Sequence, residues 1–161
     1  MSASPFEAET RALFLGPVSQ LAAPRPVPLA GIRARAGFPS PAEDFQEDSI
    51  DLGELLIRNP AATYLYRAEG WSMLHAGICD QDILVVDWSV EVMDGDIVVA
   101  TYDGNQPTCK VLRFMRDGIE LHSRNPHSPN IVIPPESAFE AFAVVGVVRQ
   151  IRRNHGRVRA R

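Results

Sequence analysis

From Ala61 onwards the chain is a succession of short, strand-length apolar runs: "ATYLYRAE", "DILVVDW", "DIVVATYD", "TCKVLRFM", "GIELHS", "NIVIPP" and the stretch from Phe139 to Ile151. Turn signals separate them, and Asp103-Gly104 and Asp117-Gly118 are of the type that closes hairpins. This spacing predicts a mainly antiparallel β body with a few long connections. Two passages, "CDQDILVVD" and "VMDGDIVVA", resemble each other, each placing acidic turn residues before an isoleucine-led strand. Two matches are too few for a solenoid, so they are read as equivalent strand entries in one barrel-like sheet. One short helix is expected at "SIDLGELLIRNP". Ser49 or Asp51 can cap it, Leu52, Leu55 and Leu56 give it one apolar side, and Asn59-Pro60 stops it.

Ahead of this body the chain changes character. Pro5, Pro17, Pro24, Pro26 and Pro28 break any long helix within residues 1–36, leaving room for a short helix over Phe6 to Leu15 and a short strand at "VPLAGI". Such a segment is an arm rather than a domain. The stretch "RARAGFPSPAEDF", Arg33 to Phe45, continues it irregularly, since Pro39 and Pro41 keep the residues before them extended. With 161 residues, one domain with a core is expected, with residues to spare at either end.

Several function classes recede on composition. No apolar stretch approaches the roughly eighteen residues a membrane span needs. Glu7 and Glu9 stand where a secretion signal would be basic and then apolar, so a cytoplasmic location is expected. Cys79 and Cys109 have no disulfide or metal-type spacing, and His75, His122, His127 and His155 are scattered, so neither cofactor nor metal is expected. Residues 37–148 carry six basic and eighteen acidic groups, whereas residues 149–161 carry six arginines and no acid. The body therefore repels nucleic acid, and only the tail offers it any attraction.

Chemistry is suggested where "YRAEGWSMLHAGICDQD" interrupts the strands with Gly70, Trp71, Ser72 and Met73. A serine after a glycine at a strand end can be presented as a nucleophile beside backbone amides, although a lone serine there is more often a turn cap. The nucleophile-elbow pattern of glycine-x-serine-x-glycine is absent, because Leu74 takes the last position. A lysine is the other base to consider, and Lys110, in "TCKVL", is the only lysine among sixteen basic residues. On an alternating strand it shares a face with Thr108 and Leu112, opposite Cys109 and Val111. To take the serine proton it must be neutral, which requires burial; a solvated strand lysine with its stem along the sheet is the plainer alternative.

Taken together, "AGFPSPAEDF", "IDLGELLIRNPAATYLYRAEGWSMLHAGICDQDILVVD", "DGDIVVA" and "TCKVL" resemble the UmuD family of SOS mutagenesis proteins. More broadly they are similar to the self-cleaving LexA-type repressors and the serine-lysine peptidases related to signal peptidase. The resemblance runs from about Gly37 to Val148 and implies a LexA/signal-peptidase-like compact antiparallel β fold with one short helix and an extended N-terminal arm. It implies a removable arm over residues 1–36, a peptidase domain over 37–151 and a basic tail over 152–161. Ser72 then takes the position of the nucleophile and Lys110 that of the general base, with the scissile bond between Ala36 and Gly37. The resemblance further implies stimulation by a RecA filament on single-stranded DNA. It also implies a processed homodimer that serves a Y-family polymerase subunit of the UmuC type in translesion synthesis. Ala36 resembles the repressor relatives rather than the enteric UmuD type, Trp71 replaces a small or acidic residue, and Gln81 stands at a usual glycine position. Two other readings are a non-catalytic protein-binding module on the same scaffold and a LexA-type repressor. The latter is disfavoured because only thirty-six proline-rich residues precede Gly37, too few for a helix-turn-helix domain, so no sequence-specific DNA binding is expected.

Overall fold

The computed structural model describes residues 10–18, 27–28 and 49–149. The Ala36-Gly37 bond and the tail 152–161 lie outside the described residues. Ten strands and one helix follow in the order β1 (Arg11–Pro17), β2 (Val27–Pro28), β3 (Ser49–Ile50), α1 (Leu52–Leu56), β4 (Thr63–Glu69), β5 (Ile83–Asp87), β6 (Ile97–Tyr102), β7 (Thr108–Met115), β8 (Gly118–His122), β9 (Ile131–Ile133) and β10 (Phe139–Val148). The fold is mainly antiparallel β with a single short helix among the described residues, as the run spacing predicts. Among those residues no helix is long and apolar enough to cross a membrane. No group of three or more His, Cys, Asp or Glu side chains comes together among them.

Eight strands form one sheet in the order β1-β4-β5-β10-β6-β7-β8-β9, and β1 also meets β7. That last contact closes β1, β4, β5, β10, β6 and β7 into a ring, from which β8 and β9 continue outward. Strand β7 is the branch point. Val111 to Met115 pair with β8, whereas Thr108 faces Arg11 of β1. Two hairpin signals act as turns: Asp103 and Gly104 adopt positive φ of 48° and 73°, and β7 turns into β8 between Met115 and Gly118.

Because β7 is covered on both sides, its alternation serves two cores. Cys109 and Val111 pack with Tyr66, Met73, Leu84, Val86 and Val99. Leu112 packs with Val98, Ala100, Leu121 and Ile133. Every residue from Thr108 to Leu112 is consequently buried. Strand β5 is likewise buried at Leu84, Val85 and Val86, which explains its unbroken apolar run.

Two local expectations change. Phe6 to Leu15 suits a short helix by composition, yet from Arg11 on it belongs to β1, because the edges of β4 and β7 supply backbone partners that outweigh local propensity. Helix α1 is capped by Asp51, whose Oδ1 accepts from Gly53 N at 2.7 Å and Glu54 N at 3.2 Å. It ends at Leu56, and Leu55 on it is exposed. Leu56 lies over Gly146 of β10, 3.6 Å from where a Cβ would stand.

Candidate active site

Strand β4 ends at Glu69; Gly70 follows with a φ of 101°, in the region that favours glycine, and the chain then turns through Trp71, Ser72 and Met73. Asp80 holds the bend by accepting from Gly70 N at 2.8 Å. Met73 is fully buried in the barrel core and so pins the residue before it. A short 3-10 turn, Leu74–Ala76, follows and stops at Gly77, which is left-handed.

The segment after β8 braces this bend from the other side. Arg124 N donates to Ser72 O at 2.7 Å, His75 N donates to Arg124 O at 2.8 Å, and Asn125 Nδ2 donates to Trp71 O at 3.0 Å. Asn125 is buried, and its own Oδ1 accepts from His127 N at 3.0 Å. None of these bracing residues is suggested by the sequence reading. The Asn125-Pro126 pair marks a turn there, but its partner lies fifty-four positions away.

Ser72 and Lys110 meet at this bend. Lys110 Nζ lies 2.7 Å from Ser72 Oγ, and both residues are 0% exposed. The alternative of a solvated lysine fails because both faces of β7 are covered at that point. Lys110 sits where β7 passes from its β1 contact to its β8 pairing, and the Ser72 bend reaches the same place. Its strand neighbour Cys109 is not a rival nucleophile: burial pushes the thiol up to about 12, and the nearby Lys110 charge offsets this only in part.

The nucleophile candidate has a second neighbour. Thr10 N donates to Ser72 Oγ at 3.0 Å, so the hydroxyl oxygen is approached by the lysine amine and by a backbone amide of the arm. Thr10 O in turn accepts from Thr108 Oγ1 at 2.8 Å and from Cys109 N at 3.1 Å. A buried hydroxyl touching a buried amine, where β1 lies between β4 and β7, is an arrangement suited to proton abstraction and acyl transfer.

Gln81 keeps the turn that a glycine would make. Its φ is 70°, and its amide donates to Ala68 O at 2.7 Å. Behind it, Asp82 is buried and bridged to Arg149, with Nε of the guanidinium 2.7 Å from Oδ1 and the second nitrogen on Oδ2. Burial works to raise the Asp82 carboxyl, but the Arg149 hydrogen bonds, the Cys79 amide and the Arg149 charge together hold it below the usual carboxylate value.

Comparison with known proteins identifies relatives of this chain. The Peptidase S24-like family model matches residues 28–149. Protein ImpA of Salmonella typhimurium is 43% identical over 125 residues, covering 78% of this chain and 85% of its own. Protein MucA of Escherichia coli is 40% identical over 116 residues, covering 72% and 77%. The LexA repressor of Delftia acidovorans is 39% identical over 138 residues, covering 86% of this chain and 58% of the repressor.

Proposed function

We propose, from the premise that the chain belongs to the Peptidase S24-like family and within it to the UmuD-type proteins, that it cuts its own backbone between Ala36 and Gly37 with a serine-lysine dyad. The observation that carries this reading is the 2.7 Å approach of Lys110 Nζ to Ser72 Oγ inside the protein. A desolvated amine is driven towards its neutral form, because burial penalises the ammonium. Neutral Lys110 takes the proton of Ser72, and Oγ attacks the carbonyl carbon of Ala36. Collapse of the tetrahedral intermediate breaks the bond to Gly37, whose nitrogen leaves with the proton returned by Lys110. Water, deprotonated by the same amine, then hydrolyses the Ser72 ester, releasing the Ala36 carboxylate and restoring the hydroxyl. Small side chains at Ala36 and Gly37 let the backbone approach closely, and tethering supplies the effective concentration that a two-residue machine needs.

In this reading residues 1–36 are a removable arm, 37–151 the peptidase domain and 152–161 a basic tail. The resemblance to UmuD supports the wider setting. A RecA filament on single-stranded DNA stimulates the cut in the cytoplasm, and the shortened homodimer serves a Y-family polymerase of the UmuC type in translesion synthesis.

Product masses after incubation at alkaline pH, or with an activated RecA filament, test the reading. Fragments divided after Ala36 are expected, with a rate that rises with pH as more Lys110 loses its proton. Retained cleavage in Ser72→Ala, or a rate flat from pH 6 to 10 where chemistry is limiting, overturns the dyad.

A further inference from the structure

We propose that β1 is a built-in competitor of the cleavage segment: it fills the groove between β4 and β7, and no scissile bond reaches Ser72 until it leaves. This rests on the peptidase reading above. Strand β1 pairs with β4 from Arg11↔Glu69 to Pro17↔Tyr64 and meets β7 at Arg11↔Thr108. Ala12 N donates to Pro107 O at 2.8 Å on the β7 side. At the dyad, Thr10 spends its amide hydrogen on the Ser72 oxygen and its carbonyl on the edge donors of Thr108 and Cys109. These are the groups against which an extended substrate would lie. The amide contact also engages a lone pair of the very oxygen that must attack. Two backbones cannot share one edge, since neighbouring strands stand about 4.8 Å apart.

The hold on this strand is mostly backbone pairing rather than core burial. Leu13, Phe14 and Leu15 are 50%, 50% and 43% exposed, so β1 contributes little to the core beyond Ala12. Its pairing with β4 shifts register between Phe14 and Gly16. The Thr10 hydroxyl is buried without a hydrogen-bond partner, which weakens the hold at the point nearest the dyad. The main side-chain latch is Phe14, whose ring lies 5.3 Å from that of Tyr66 and 5.9 Å from that of Tyr64. Segments with few buried apolar contacts open at low free-energy cost, and a device that releases on a signal needs that property.

The test locks β1 reversibly. Ala12 and Ala68 are partners in the register, and their amides point away from each other, to Pro107 O and Asp82 O. They therefore form the closer, non-hydrogen-bonded type of pair, suited to a cystine. In full-length protein carrying Ala12→Cys and Ala68→Cys, the oxidised form is expected not to cut after Ala36 at alkaline pH, and reduction is expected to restore the cut. Products are read as masses after quenching and reduction. A second variant, Phe14→Ala, is expected to cut about 10-fold faster than wild type without a RecA filament. Equal rates for oxidised and reduced protein, no acceleration in Phe14→Ala, or fragments divided at Thr10 overturn the proposal.

A binding measurement separates this failure from failure of the peptidase reading. In a Ser72→Ala background, a labelled peptide of residues 30–45 is expected to bind more tightly when Phe14→Ala is added and not at all when the cystine is closed. Unchanged binding overturns the competitor. The expected binding pattern with no cleavage in any Ser72-containing chain overturns the peptidase reading and leaves the competitor standing.

Discussion

Lys110 is the residue on which the chemistry turns, and its surroundings are hostile to charge. Replacing it with Met keeps the volume and removes the amine. Lys110→Met is expected to slow self-cleavage by roughly 10²–10⁴-fold, the range for loss of a general base, while the melting temperature stays level or rises because no amine is buried. A fall in both quantities would mark Lys110 as structural instead. Gln81 gives a second expectation at this scale. At φ 70° a side chain costs about 1 kcal/mol or more, and glycine returns part of it in unfolded-state entropy. Gln81→Gly is therefore expected to stabilise by about 0.5–1 kcal/mol in urea unfolding. Strand alternation places Lys110 with Thr108 and Leu112 from sequence alone. It does not tell that this face is covered, because the cover comes from residues far away in the chain.

Among the elements, the β7–β8 hairpin decides how the branch at β7 is built. Gly118 starts β8 at φ 135°, and a Cβ there would stand 2.5 Å from the carbonyl oxygen of Ile133 in β9. Gly118→Ala is expected to cost about 2–4 kcal/mol, from strain and backbone collision together, read as a lowered denaturation midpoint. Strands β4 to β10 are legible in the sequence because each is bounded by turn chemistry and carries β-branched or apolar runs. Helix α1 is legible through Asp51. Strand β1 is not, since its Glu- and Ala-containing surroundings suit a helix and its partners on β4 lie 47 to 58 residues on. Non-local pairing of this kind leaves no local signature.

Over the whole molecule, closure of the sheet and anchorage of its last strand are the governing features. Arg149, at the end of β10, reaches back to Asp82 and to Gly77 O, 2.6 Å away, tying the chain's exit to the loop behind Ser72. The Asp82 carboxyl is depressed in the fold, so its contribution to stability is present above the unfolded carboxylate value and is lost as pH falls through the folded one. Urea midpoints are expected to fall with acidification below about pH 4 more steeply in wild type than in Asp82→Asn, with the two curves converging in acid. Parallel curves would assign the acid sensitivity to other groups.

By itself the sequence determined the β architecture, the position of the Ser72 bend and the candidacy of Lys110, because alternation, turn residues and a single lysine are local facts. Tertiary structure alone decided that the amine is buried against the hydroxyl, that Arg124 and Asn125 brace the bend, and that the arm's Thr10 lies on the nucleophile. Those contacts join segments separated by 38 to 62 positions. Their existence depends on which edges a closed sheet leaves open, and that is a property of the assembled barrel rather than of any stretch of chain.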